Sequence, residues 1–433
     1  MNGRRSFLKT AGLAPAALAL SAKPASAAEE VLRLGVIGPG GMGSNHLRNL
    51  LGRKDVAITH VCDVDQSRLA TAAALVEKGS RAPQAVKDLR QILDDKSVDA
   101  VLIATPDHWH TPAAILALEA GKHVYVEKPC SHNIREGRLL VEAAKRSGKC
   151  LQVGTQSRST PIIREAMDIV LKGEIGEVLV AKAWNSQLRR SIGKSKPATP
   201  PANLDYDLWI GPAPMVPYRT NLLPGVWRWW HDFGAGDIGN DGVHDIDVAC
   251  WGLGVTTQPS RITCQGGKYF FDDDQQWPDT QYAIFEYPVA GKPRVMKQLI
   301  FEQRIWSPYV QEGYENGVAF YGTKGVLIIG HAVGWKLYGA KNKLLAEKTG
   351  PVDLVAHHTN FFDCIRGTQK QLNADAMAGH LSASLCHLAN IGARIGRVLH
   401  FDPATEQILN DAEAAPLVRR KYRPGHWAVP KGV

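Results

Sequence analysis

Two places in the chain bring proton-handling side chains together with glycine and proline. In the first, Glu127-Lys128-Pro129 closes the apolar run His123-Val124-Tyr125-Val126. In the second, Trp227-Arg228-Trp229-Trp230-His231-Asp232 leads through the glycine-rich stretch Gly234 to Gly242 into Val243-His244-Asp245-Ile246-Asp247. A lysine begins near pKa 10.4 in water, so acting as a base at neutral pH asks for a drop of about three units. A histidine begins near 6.5 and needs little adjustment. If both reach one substrate oxygen, His244 is the better proton acceptor and Lys128 the better charged hydrogen-bond donor. The alternative is structural. A helix starting near Val243 puts His244 in its first turn with Asn240 or Asp241 near the cap, so the cluster also reads as a capping network.

Which reading applies depends on the elements in front of Lys128. Val31 to Ile37 is a short β-rich run ending at Gly38-Pro39-Gly40-Gly41-Met42-Gly43, and Met42 to Leu51 then has helical spacing. Gly38, Gly40 and Gly43 fit G-x-G-x-x-G, which gives a tight turn, close backbone approach to a pyrophosphate, and close helix–strand packing. The helix start adds free N–H groups and a positive dipole end. A second strand, Val56 to Cys62, ends at Asp63. An acidic residue there binds adenosine ribose hydroxyls and repels a 2′-phosphate, so NAD is expected over NADP.

The alternation continues with helices over Gln66 to Glu77 and Asp88 to Leu93, and a buried strand over Asp99 to Ala104. That strand ends in Thr105-Pro106-Asp107-His108-Trp109-His110. A Pro112 to Ala120 helix, the strand before Lys128, an Ile134 to Ser147 helix stopped by Gly148, and a further strand over Leu151 to Gly154 complete it. Strands alternating with such helices predict a parallel, doubly wound sheet. Ligands of such sheets bind outside the carboxyl ends of the strands, so Lys128 faces the crevice.

The carboxy-terminal half has another texture. β-branched and aromatic runs at Val178–Trp184, Arg261–Gln265, Thr280–Tyr287, Arg294–Phe301, Val318–Tyr321 and Gly325–Ile329 mostly lack intervening helices. They predict an α+β domain with a large, mostly antiparallel sheet and helices on one face. The helices expected are Pro161–Leu171, Val243–Trp251, Asn360–Arg366 and Gly379–Val398, and Pro197 to Pro217 is expected as a long surface loop. The domain boundary falls near Gly154–Arg158, with 29–155 binding the dinucleotide and 156–433 the substrate. The last long helices are candidates to pack back on the first domain.

Apolar content of 44% and charged content of 21% fit a globular protein. Residues 1–28 read as a targeting segment: Arg4-Arg5-Ser6-Phe7-Leu8-Lys9 resembles a twin-arginine signal, and Ala25-Ser26-Ala27 a cleavage site. Export in the folded state to the periplasm is expected, with cleavage after Ala27. Of the formal charge of +9, four basic residues lie in that segment, leaving +5, too little to argue for nucleic acid. No later segment reads as a membrane span. Seven scattered cysteines without C-x-x-C spacing read as buried small hydrophobes.

With the glycine loop, the Glu127-Lys128-Pro129 strand end and the segment leading to His244, the chain resembles the Gfo/Idh/MocA oxidoreductase family, in its secreted, signal-bearing branch. Gln152-Val153-Gly154-Thr155-Gln156 with Arg158, His357 to Phe361, and Gly379-His380 through Asn390-Ile391 extend the resemblance. It implies a Rossmann domain and hydride transfer between a sugar or polyol carbon and a nicotinamide, with Lys128 on the reacting hydroxyl and His244 as general base. At the cofactor it implies Gly38, Gly40, Gly41, Met42, Gly43, Asp63, Thr105, Pro106, His110, Glu127, Lys128 and Gln156. At the substrate are expected Arg158, Asn240, Asp241 and His244, with Trp227, Trp230 and Trp229 able either to stack on a sugar face or to pack in the core. Where many members carry aspartate four residues before the histidine, this chain has Asn240. Asparagine cannot stabilise an imidazolium by charge, which leaves Asp241 or Asp237 as candidate carboxylates. His357, His358 and His380 lack compact zinc spacing, so no metal is expected.

An exported enzyme meets no replenishing nicotinamide pool, so its NAD must stay bound and be recycled. Oxidoreduction on a carbohydrate is the leading expectation. An NAD-dependent glycosidase or lyase working through a transient keto-sugar is the alternative, and a carbohydrate-binding scaffold with a vestigial dinucleotide domain is the third. A broad sheet with one uncovered face predicts a homodimer or homotetramer.

Overall fold

The computed structural model describes residues 31–433 apart from Ala290 and Ala332; the signal expected over 1–28 lies outside the described residues. β1 (Leu32–Ile37), α1 (Gly41–Leu51), β2 (Val56–Cys62), α2 (Gln66–Gly79), β3 (Gln84–Val86), α3 (Arg90–Asp94), β4 (Ala100–Ile103), α4 (Asp107–Glu119), β5 (His123–Val126), α5 (Ile134–Ser147) and β6 (Leu151–Val153) come first. Their strands form one parallel sheet in the order β3-β2-β1-β4-β5-β6. The order reverses between β1 and β4, which opens a crevice at the carboxyl ends of these two strands.

Two features depart from the sequence expectation. β3 is only three residues long with two of them exposed, so it carries no apolar alternation. α4 begins at Asp107 rather than Pro112 and contains that proline. Proline lacks the N–H that would serve the carbonyl of His108 one turn back. Arg420, from the far end of the chain, donates to that carbonyl instead at 2.8 Å.

The second half comprises α6 (Pro161–Leu171), β7 (Val178–Asn185), α7 (Tyr206–Ile210), α8 (Val243–Leu253), β8 (Arg261–Gly267), β9 (Thr280–Val289), β10 (Lys292–Arg304), β11 (Asn316–Gly322), β12 (Val326–Gly330), β13 (Gly334–Tyr338), β14 (Leu344–Thr349), α9 (Leu354–Arg366), α10 (Ala376–Ile395), β15 (Leu399–Asp402) and β16 (Gln407–Leu409). Ten strands form one sheet in the order β14-β13-β12-β11-β7-β10-β9-β8-β15-β16, antiparallel except between β7 and β10. The strands from β13 onward were not foreseen: β14 is exposed throughout, and β15 and β16 are short. Ile163 of α6, Ile246 of α8 and Leu385 of α10 pack with Phe285, Phe301 and Phe320 in the main core. Gly242 permits this approach, since a Cβ there would lie 2.7 Å from the Phe301 ring.

The carboxy-terminal helices do return to the first sheet. Phe361 and Phe362 of α9 join Leu34, Val36, Leu47 and Leu102 in one cluster. Glu406 pairs with Arg138 of α5 at 2.6 Å, and Arg420 with Glu136 at 2.7 Å. Pro197 to Pro217 is irregular apart from α7, yet it is more than a surface loop. Gln66 N–H donates to the Asn203 carbonyl at 2.9 Å, Asn203 Nδ2 to Asp65 at 3.0 Å, and Asp205 N–H to the Val64 carbonyl at 3.0 Å. Lys87 pairs with Asp205 at 3.0 Å, so the segment is pinned beside the end of β2.

Candidate active site

The glycine loop is held in shape by contacts that only glycine permits. Gly38 has φ +79°, and a Cβ there would stand 2.8 Å from the Ala104 carbonyl. A Cβ on Gly43 would lie 2.2 Å from the Gly38 oxygen, so Gly43 packs α1 on the loop rather than lining the cavity. Gly38, Gly40, Gly41 and Met42 edge a cavity of about 740 Å³ that also takes in Asp63, Thr105, Pro106, His110, Glu127, Lys128 and Gln156. At the end of β2, Asp63 Oδ1 accepts the Asp65 N–H at 2.9 Å, and burial pushes the carboxyl up to about 6.

The ends of β4 and β5 are tied together. The His110 ring stands between the carbonyls of Thr105 (2.8 Å) and Pro129 (2.7 Å). Burial holds it below the ordinary histidine pKa, so one N–H serves one carbonyl at a time. Glu127 receives His46 Nε2 at 2.8 Å and Gln156 Nε2 at 3.3 Å. Burial opposes its ionisation, but the His46 hydrogen bond and the charges of His46 and Lys128 outweigh it and hold the carboxyl below its usual range. His358 then bonds His46 at 2.9 Å, which locks α9 to the loop helix.

Lys128 reaches the other cluster. Its Nζ donates to the backbone carbonyl of Asn240 at 2.5 Å. Asn240 lies in a π turn, Ile238–Gly242, that runs directly into α8, and no side chain caps that helix. This corrects the expected cap by Asn240 or Asp241. The Asn240 side chain turns away, donating to Asp237 at 3.1 Å. Asp237 also receives Asn185 Nδ2 at 2.8 Å and Arg189 Nε at 3.1 Å, and Arg189 bonds Asp241 as well. Both carboxylates proposed to support the histidine are therefore committed to Arg189. His244 lines the cavity with its ring edge-on to His331, the centroids 5.2 Å apart. Burial, then the charges of Lys128, His331 and His357, holds it well below the ordinary pKa. A neutral imidazole in that position can accept a proton.

Trp227 and Asp241 line the same cavity. Arg158 and Trp230 do not: Arg158 pairs with Asp247 at 2.7 Å, and Trp230 donates to the Asn221 carbonyl at 3.1 Å. Trp229 is buried in the protein. The late histidines go separate ways, His357 to Ser159 and Val153, His358 to His46, and His380 to Glu406. No group of three metal-ligating side chains occurs among the described residues. Sequence reasoning missed Asp107, Arg228, Asn203, Leu208, Trp209 and Trp427, all of which line the cavity. Burial pushes Asp107 up to about 7 against the nearby charges of Lys128 and Arg228. Its place four residues beyond the end of β4 was a usable signal; Trp427 offered none.

The Gfo/Idh/MocA oxidoreductase family matches twice, with its NAD-binding Rossmann fold over residues 32–155 and its carboxy-terminal α/β domain over 178–286 and 341–429. The chain belongs to the Gfo/Idh/MocA family. A glycosyl hydrolase family 109 protein of Shewanella pealeana is 32% identical over 209 residues, 42% of this chain and 45% of that protein. An alpha-N-acetylgalactosaminidase of Shewanella oneidensis is 31% identical over 207 residues, with the same coverage. The chain thus matches less than half the length of these curated relatives. The WlbA dehydrogenase of Bordetella pertussis, solved with NADH and UDP-GlcNAcA, shares the fold at TM-score 0.65 and 19% identity, over 86% of this chain and 99% of that one.

As in this family, the cofactor is NAD. The residues present fit it. The loop offers bare backbone at Gly38, where a Cβ would clash with the Ala104 carbonyl, Asp63 faces the cavity, and Thr105 Oγ1 is buried without a partner. Gly38 to Met42 would hold the pyrophosphate and Asp63 the adenosine ribose.

Proposed function

We propose that this protein is an NAD-dependent oxidoreductase acting on a hydroxyl-bearing carbon of a carbohydrate or polyol. The observation that supports it is the meeting of Lys128 with the Asn240 carbonyl, while His244 lines the same cavity as the glycine loop. NAD supplies the hydride acceptor when bound. Lys128 spends one N–H on the Asn240 carbonyl and keeps donors for a substrate oxygen. His244, held neutral, takes the hydroxyl proton. Trp227 and Arg228 line the part of the cavity where a sugar ring would sit. The pinned segment from Pro201 to Trp209 covers the side next to Asp63, which suits a cofactor loaded once before twin-arginine export and then retained. Assembly as a homodimer or homotetramer through the open sheet face is part of the same reading.

A second reading is favoured by the relatives named as glycosyl hydrolases. The same proton removal, coupled to hydride transfer to NAD when bound, would give a transient ketone that acidifies the neighbouring C–H. The glycosidic oxygen would leave as the protonated aglycone, water would add in its place, and return of the hydride would leave no net redox change. The test begins with protein purified from cells, whose nicotinamide content is measured by absorbance and mass spectrometry. Absence of NAD, with no binding of added NAD, sinks both readings. With NAD present, a stable keto sugar supports oxidoreduction and a released aglycone without net reduction supports cleavage. His244→Ala is expected to slow single-turnover nicotinamide reduction by roughly 10²- to 10⁴-fold at unchanged NAD content. Near-normal reduction with Lys128 intact refutes the base assignment.

A further inference from the structure

His244 lacks a carboxylate, yet it does not stand alone. Its ring meets that of His331 at 5.2 Å and an interplanar angle of 70°. His331 follows the end of β12, and its backbone N–H is fixed on the Asn316 carbonyl at 2.9 Å. Its Nδ1 bonds Asp245 Oδ1 at 3.2 Å. Asp245 is the residue next to His244 on α8, is 3% exposed, and its second oxygen has no partner. The backbone thus carries the acceptor and the anchor of its neighbour side by side.

We propose that His331, anchored by Asp245, is a positioning residue that fixes the orientation of the His244 ring and, by carrying the proton that Asp245 attracts, disfavours protonation of His244. The charges converge on this arrangement. His244 faces Lys128 from the end of β5, His331 from beyond β12 and His357 from α9, all nitrogen bases. His331 faces Asp245 and Asp241 with Lys128 opposing, and although burial works against its charge, these two acids raise its pKa above the ordinary value. A cation next to an imidazole disfavours protonation of that imidazole. The usual carboxylate on a catalytic histidine stabilises the imidazolium; here the carboxylate is displaced by one ring, onto His331. The inference deepens the base role proposed for His244 and rests on it for its catalytic meaning, but the charge coupling between the rings is measurable without turnover.

The experiment is a histidine-labelled NMR titration of the NAD-loaded protein, with the His244 and His331 signals assigned by substitution. In the wild type the His331 midpoint is expected above 6.5 and that of His244 well below it. His331→Asn is expected to raise the His244 midpoint by about one unit, the size of a cation's repulsion a ring's width away. The acid limb of the kcat/KM profile should move up with it. Should His331→Asn fail to fold, Asp245→Asn keeps the ring and removes its anchor, and the two midpoints should then converge. A His244 midpoint unmoved in either variant overturns the proposal, even if kcat or stability falls. A moved midpoint together with full turnover in His244→Ala would keep the coupling and remove only the base assignment.

Discussion

Asp63 makes a sharp test of how the cavity chooses its cofactor. Its carboxylate stands at the end of β2 with one oxygen on the Asp65 N–H, and burial raises its pKa to about 6 despite that hydrogen bond and the charge of Arg68. Above about pH 6 it is ionised and repels a 2′-phosphate; below, it is neutral and discrimination fades. For a phosphate charge of about −1.7 at a separation on the order of 6 Å and an effective dielectric of about 60, the repulsion is about 1.6 kcal/mol, roughly 15-fold in the Kd ratio. Asp63→Asn keeps the shape and removes the charge, while Arg68, within reach of Gly40, remains to welcome a phosphate. The Kd for NADP relative to NAD should therefore fall about 15-fold at neutral pH.

The assay is fluorescence titration of protein stripped of NAD, using the indoles of Trp209 and Trp427 that line the cavity. The phosphate itself titrates near 6, so the wild-type pH curve must be read against that of Asp63→Asn. The wild-type ratio should drop more steeply than the variant's between about pH 7.5 and about pH 5. Parallel curves, or an unchanged ratio at neutral pH, would show that Asp63 does not select the cofactor.

Two further outcomes concern the frame of the site. Gly43→Ala forces a Cβ to 2.2 Å from the Gly38 oxygen, so α1 must shift at a cost of about 1–3 kcal/mol, and both Tm and NAD affinity should fall; wild-type values of both would contradict the packing role. Glu406 is held down to about 2 because, against the cost of burial, His380 and Arg138 hydrogen-bond it. A depressed carboxyl stabilises the fold above its unfolded pKa, so Glu406→Gln should cost about 2 kcal/mol at neutral pH after solvent screening, and urea unfolding should show that gap closing as pH falls from about 4.5 to 2.

What the sequence made legible is what local spacing encodes. The glycine loop, Asp63 at the next strand end and Lys128 after its apolar run all follow from alternating strands and helices, because each element announces its own terminus. What stayed hidden depends on residues far apart. Pro112 concealed the true start of α4 because the carbonyl it leaves open is served by Arg420. Arg189 carried no motif, yet it takes up both Asp237 and Asp241 and so settles where Asn240 points. The segment around Asn203 read as a loop because its hydrogen bonds go to the first domain rather than to itself. Lys128 meets Asn240 through a backbone carbonyl, a contact blind to side-chain identity.

That last contact changes what the substitution at position 240 means. Because the Asn240 side chain points at Asp237, an aspartate held in the same orientation would face a carboxylate. It would set a second carboxylate about 3 Å from a buried one, a repulsion that Arg189, already divided between Asp237 and Asp241, would have to absorb. Asparagine instead donates a hydrogen bond to Asp237. The consequence falls on His244. Without a hydrogen-bonded carboxylate its imidazolium is a stronger acid than one so paired, so a proton that it takes is readily given back. A reversible proton carrier of that kind serves a cycle in which the cofactor never leaves, whether the proton goes back to the same oxygen or on to a departing one. The geometry at Asn240 therefore belongs with the pinned segment beside Asp63: both suit the retained cofactor proposed above.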